Sequence, residues 1–150
     1  MIRWLALGVL GVGVGAAIFL SVATGGVDED AVRIPYGDRA AVERGREVYQ
    51  AACASCHGAS LQGQPDWRSR GPDGRLPAPP HDQTGHTWHH PDAQLFKLTK
   101  YGVEKFAPEG YKSDMPGFED QLSDSDILAS LAFIKSTWPD DIQRRHDAIN

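Results

Sequence analysis

The chain has 150 residues, with 15 basic and 20 acidic side chains, a formal net charge of −5, and 41% hydrophobic and 23% charged residues. That length holds one domain, and the balance excludes both a disordered chain and a polytopic membrane protein. An acidic chain without a basic stripe is a poor nucleic-acid binder. Two cysteines are too few for a disulfide scaffold, and 10 prolines with 16 glycines predict a loop-rich fold.

Trp4 to Ala23 is uncharged, with Ser21 its one polar side chain. A run of about 20 apolar residues suffices to cross a bilayer as a helix. Arg3 before it and Asp28, Glu29 and Asp30 after it predict a cytoplasmic N-terminus and an exported remainder. Residues 1–26 are therefore expected to be an inner-membrane anchor with the following domain in the periplasm. The competing reading is a cleaved signal peptide, since Ser21-Val22-Ala23 has the small residues of a cleavage site. The domain would then be soluble in the periplasm. No cysteine lies near the end of the run, so a lipoprotein anchor is excluded.

Residues 27–37 are expected to be a linker and 38–150 the globular domain. Asp38 is the expected N-cap of a first helix, whose face is drawn by Ala41, Val42, Gly45, Val48, Tyr49 and Ala52 at spacings of three and four. Residues 58–90, rich in glycine and proline, predict one long loop, which needs something to pack against. A second helix is predicted over 91–101, opened by Pro91 and stopped by Gly102. Residues 102–121 predict another loop. A last helix starts at Ser123, with Asp126 standing where a capping box has Glu or Gln. Ile127, Leu128, Leu131 and Ile134 form its buried face, and Pro139 ends it. The polar tail beyond reads as a short helix with His146 solvated.

Cys53-Ala54-Ser55-Cys56-His57 carries the chemistry. C-x-x-C-H is the attachment signature of c-type haem. Two thiols three residues apart in one turn can each add to a porphyrin vinyl group, and the adjacent imidazole then faces the iron. Two other readings compete. A redox disulfide requires strands around the motif, and a zinc site requires a second cysteine pair that the chain lacks.

With that motif on a helix carrying Gly45 and Tyr49, and with Phe133 on the last helix, the chain over residues 38–138 resembles the class I c-type cytochromes, small monohaem electron carriers. The resemblance implies an all-α fold in which N- and C-terminal helices cross over the covalently attached haem. It implies one haem c, thioether bonds from Cys53 and Cys56, and His57 as one axial ligand. Met115 is the expected sixth ligand: Met1 is the initiator, and Met115 lies in a loop where Pro116 holds it extended. Its competing reading is a core methionine. Pro77 or Pro79 would supply the carbonyl that the family sets against the axial histidine.

His81, His86, His89 and His90 put four histidines into ten residues. They read as a polar loop at the haem edge, as a second metal site, or as a replacement axial ligand. A second metal is not expected. Trp67, Trp88, Tyr101, Phe106, Tyr111 and Phe118 are expected in the core or haem pocket. Lys97, Lys100, Lys105, Lys112 and Lys135 are expected on a solvated surface of mixed charge, with weak electrostatic steering. The implied function is one-electron transfer between respiratory-chain redox proteins, with no catalysis and no small-molecule substrate. The alternatives are a haem enzyme or gas or redox sensor with an exchangeable sixth ligand, and a copper-handling protein using the 81–90 loop.

Overall fold

The computed structural model describes residues 27–150, and the segment read as an anchor or signal lies outside them. Among the described residues there are helices and no strands, and no helix is long and apolar enough to cross a membrane. The helices are α1 (Arg39–Ala52), α2 (Ala54–His57), α3 (Asp92–Tyr101), α4 (Asp124–Ser136) and α5 (Asp140–Asp147), with 3-10 turns at Thr87–His89 and Val103–Lys105.

α1 starts where Asp38 accepts the Ala40 N–H at 2.9 Å. Its face turns Gly45, Val48 and Tyr49 inward, with Ala41 and Val42 packed at the edge of the core. α4 starts at Ser123, whose hydroxyl accepts the Asp126 N–H at 3.1 Å. The Asp126 carboxylate makes no return bond to the Ser123 backbone; it takes the Ser123 hydroxyl and the Arg44 guanidinium, the latter at 2.8 Å. That ion pair joins the first turn of α4 to α1.

The two helices cross at Gly45. A Cβ there would overlap the Ala129 carbonyl and stand 3.0 Å from the Phe133 Cβ. The Tyr49 and Phe133 rings close the crossing with centroids 5.4 Å apart. α4 is covered on more sides than the predicted stripe, because α1 and α3 pack against it and Trp138 folds in behind it. Ala129, Ser130, Ala132, Phe133 and Lys135 are buried beside Ile127, Leu131 and Ile134, while Leu128 is only partly buried.

Two expectations about polar residues are overturned. Lys135, expected on the surface, is 2% exposed, and His146, expected in solvent, is fully buried. The cause is α5, which folds back so that Asp147 meets the Lys135 ammonium at 2.6 Å and His146 donates from Nε2 to the His90 carbonyl at 2.9 Å. Asp92, also buried, lies 3.6 Å from His146 and 3.9 Å from Lys135. Its other oxygen accepts the Ile34 N–H at 2.9 Å. Tyr36 donates its hydroxyl to Asp147 at 2.7 Å. Residues 27–36, expected as a linker, lie against the domain through this network, with Val32 and Ile34 buried.

Alanine is ordinarily about 1 kcal/mol better than glycine inside a helix. Gly45→Ala is expected to do the opposite, because the new methyl forces α1 and α4 apart, a strain of about 1–3 kcal/mol. Denaturant unfolding of the variant should show it.

Burial, and then the nearby Lys135, holds the His146 imidazole below its ordinary value. The unfolded chain therefore takes up a proton near pH 6.5 that the folded chain refuses. Stability falls as pH drops through that value toward the lower folded one. His81 and His86 are depressed in the same direction and add to the slope. His146→Gln should make this acid limb shallower without abolishing it, as read from unfolding midpoints between about pH 7 and 5.5.

Candidate functional site

α1 delivers the Cys53–His57 motif at its C-terminal end. Cys53 closes α1 and opens the single turn of α2, with its carbonyl accepting the His57 N–H at 3.0 Å. Gly58 ends that turn at φ +83°, a left-handed value that favours glycine, and its carbonyl takes the Tyr49 hydroxyl at 2.8 Å. Cys53 is half-buried, Cys56 is exposed, and neither is in a disulfide. Burial pushes the Cys53 thiol up to about 11. A redox C-x-x-C motif instead lowers the pKa of its attacking thiol. Among the described residues there are also no strands to build an oxidoreductase sheet around it.

The His57 imidazole is buried, and its Nδ1 lies 2.9 Å from the Pro79 carbonyl oxygen. A carbonyl can only accept, so Nδ1 carries the proton and donates. Nε2 is then left with its lone pair, the form in which an imidazole binds iron. Burial holds this histidine below its ordinary value, partly offset by the Pro79 carbonyl. Of the two candidate prolines, the Pro79 carbonyl makes this bond; Pro77 lies two residues upstream and makes no contact of this kind.

The long loop is held in place by its own backbone. Residues 61–64 run beside 78–81, with the Gln64 N–H on Ala78 O at 2.9 Å and the His81 N–H on Leu61 O at 2.8 Å. Gly63, at φ +67°, lies so close to Pro79 and Pro80 that a side chain would displace them. The clip aims Pro79 at the motif.

Met115 is half-buried in the loop between α3 and α4, its N–H on the Ser113 hydroxyl at 3.1 Å. Two contacts position that loop. Phe118 donates its N–H to Lys100 O at 2.9 Å, with Gly117 tight against the end of α3. Asp114, next to Met115, meets Arg75 of the long loop at 3.1 Å.

The four histidines do not converge. His81 stacks on His57, with ring centroids 4.0 Å apart, while His89 stacks on Trp88 at 3.7 Å. His86 and His90 form a pair at 3.3 Å. Among the described residues, no group of three or more His, Cys, Asp or Glu side chains is arranged to hold a metal ion. The contacts of His81 have no local signature, because Leu61 and Trp138 come from distant segments and Thr87, six residues on, shares no motif with it.

Phe106, expected inside, is 49% exposed, whereas Phe118 is buried. Trp67, Trp88, Tyr101 and Tyr111 are intermediate. The Trp88 indole N–H is buried without a hydrogen-bond partner among the described residues. Lys97 and Lys100 are engaged by Asp30, Glu29 and Asp124 and are not free for steering.

Two thiols in one turn and a neutral imidazole with a free Nε2 form a donor set that fits haem c. No curated protein and no solved structure matches the chain. The family model for cytochrome c matches residues 42–138, well over half of the 150 residues. This span runs from the first turn of α1 to Trp138, through the Cys53–His57 motif, the long loop and the Met115 loop. The chain belongs to the cytochrome c family, whose members bind haem c covalently and serve in haem-based electron transfer.

Proposed function

We propose that this chain is a class I, monohaem electron carrier in which Cys53 and Cys56 form the thioether bonds and His57 and Met115 ligate the iron. One observation carries the reading: the Nδ1 proton of His57 is committed to Pro79 O at 2.9 Å, which leaves Nε2 for the metal directly beside the cysteine pair. Haem supplies a single electron, held on ferrous iron and given up on oxidation to ferric.

The chain's own residues keep the two states alike. The Pro79 carbonyl fixes the tautomer and strengthens the imidazole's donation. The clip between 61–64 and 78–81 holds that carbonyl in place. The contacts of Phe118 and Asp114 hold the Met115 loop from both sides. With haem bound, His57 and Met115 would hold the iron and the thioether would raise its potential, which suits transfer over turnover. The apolar run at 4–23 supports a membrane anchor with the domain in the periplasm. There it would serve respiratory redox proteins, and confinement near them would raise its effective concentration. With Lys97 and Lys100 engaged by acids, recognition would rest little on lysine steering.

The test uses the full chain, haem-loaded by a cytochrome c maturation system. The oxidised protein is expected to show the weak long-wavelength sulfur-to-iron charge-transfer band, and its ferrous form to refuse carbon monoxide. Met115→Ala should lose the band, lower the midpoint potential and admit carbon monoxide. A wild-type protein that lacks the band and binds carbon monoxide would replace the carrier with a sensor or enzyme having an exchangeable sixth ligand.

A further inference from the structure

We propose that His81 is a positioning residue for the axial imidazole: its ring, stacked on His57, fixes the plane in which that imidazole meets the iron. The proposal rests on the reading of His57 as a haem ligand. The two rings lie 4.0 Å apart between centroids with their planes tilted by 24°, a stacked contact.

His57 needs such a neighbour. The Nδ1 bond to Pro79 ties one edge of the ring, but a single hydrogen bond leaves the ring free to rock about the axis through that edge. A flat surface against one face blocks the rocking. Pro79 and His81 stand two residues apart on one extended stretch, so a single segment supplies both the carbonyl and the face.

His81 is held firmly enough for this role. Its N–H donates to Leu61 O at 2.8 Å, and its carbonyl accepts the Trp138 indole N–H at 2.7 Å. Its ring Nδ1 lies 2.7 Å from the Thr87 hydroxyl, and Thr87 is itself buried. Tyr49 closes in from the side with an edge-on ring at 6.3 Å. Gly85 leaves no slack behind, since a Cβ there would overlap the Pro80 carbonyl. The choice of histidine follows: an aliphatic side chain has no flat face, and a phenyl ring leaves the Thr87 hydroxyl without its partner. Outer groups of this kind commonly set the orientation of a metal ligand. The plane of an axial imidazole decides how unpaired spin spreads over the pyrroles of ferric haem, so a fixed plane gives one fixed spin pattern.

The experiment records proton spectra of the ferric, haem-loaded full chain and follows the four haem-methyl resonances. His81→Phe keeps a flat ring but loses the Thr87 bond, so it should retain the wild-type methyl order with only the small shifts expected of Thr87→Val. His81→Leu fills similar space without a flat face and should reorder the methyls, with the methionine-to-iron band intact. Unchanged methyls in His81→Leu, or the same reordering in both variants, would overturn the proposal. Should His81→Leu fail to fold, the near-isosteric Thr87→Val releases the edge of the His81 ring and should move the methyls by a smaller amount. Methyls identical to wild type in that variant would overturn it equally. The methyl pattern carries contributions from both axial ligands, so it reports the His57 plane only among variants that keep the methionine-to-iron band, and hence the sixth ligand, of the wild type. A missing methionine band in the wild type would count against Met115, while a low-spin spectrum unchanged from wild type in His57→Ala would remove the ligand on which this proposal depends.

Discussion

The close approach of α1 and α4 at Gly45 governs the rest of the molecule. With no side chain there, the Ala129 carbonyl rests directly on the α1 backbone. The helices are then close enough for Tyr49 and Phe133 to meet across the contact. α1 ends in the Cys53–His57 turn, so the crossing also sets where the thiols and the imidazole stand relative to everything α4 carries. Trp138 follows α4 and reaches over to the His81 carbonyl. One helix contact therefore locates both His57 and the segment that presses against it.

The second constraint is how a loop of some thirty residues is made to hold still. It has few apolar side chains to bury, so backbone hydrogen bonds do much of the fixing. The pairing of 61–64 with 78–81 gives it a rigid base at the motif, while its outer part reaches Asp114 through Arg75. The same loop thus supports the histidine on one side and touches the methionine segment on the other. A change of loop geometry would be felt at both candidate ligands together.

The covalent motif was legible in the sequence because its chemistry is local: five consecutive residues contain it. α1, α3 and α4 were legible for the same reason, with Asp38, Gly102 and Ser123 marking their ends. Nothing local distinguished Pro79 from Pro77, since their difference lies in where the clip with 61–64 places each carbonyl. His81 looked like its three neighbours in the loop until its own contacts separated them. Lys135 and His146 have surface chemistry, and composition therefore placed them in solvent. Their burial follows from α5 turning back to supply Asp147, a tertiary event that no periodicity records. The narrow stripe expected on α4 widened because helices and loops cover it on several sides, which a pattern read along one helix does not contain.

The bond between Tyr36 and Asp147 spans 111 residues of chain, and the Ile34–Asp92 bond spans 58. Contacts of such sequence separation carry a loop-closure cost and slow folding. The network around Lys135 therefore cannot assemble until residue 147 is available to it. Until then Lys135 lacks its nearest acidic partner, while the N-terminal stretch before α1 can still meet α3 through Glu29 and Asp30. The backbone bonds of the Cys53–His57 turn close over only a few residues, whereas the Pro79 bond to its imidazole spans 22. The motif's own turn is thus the short-range part of the site, and the groups that orient its imidazole are the long-range part.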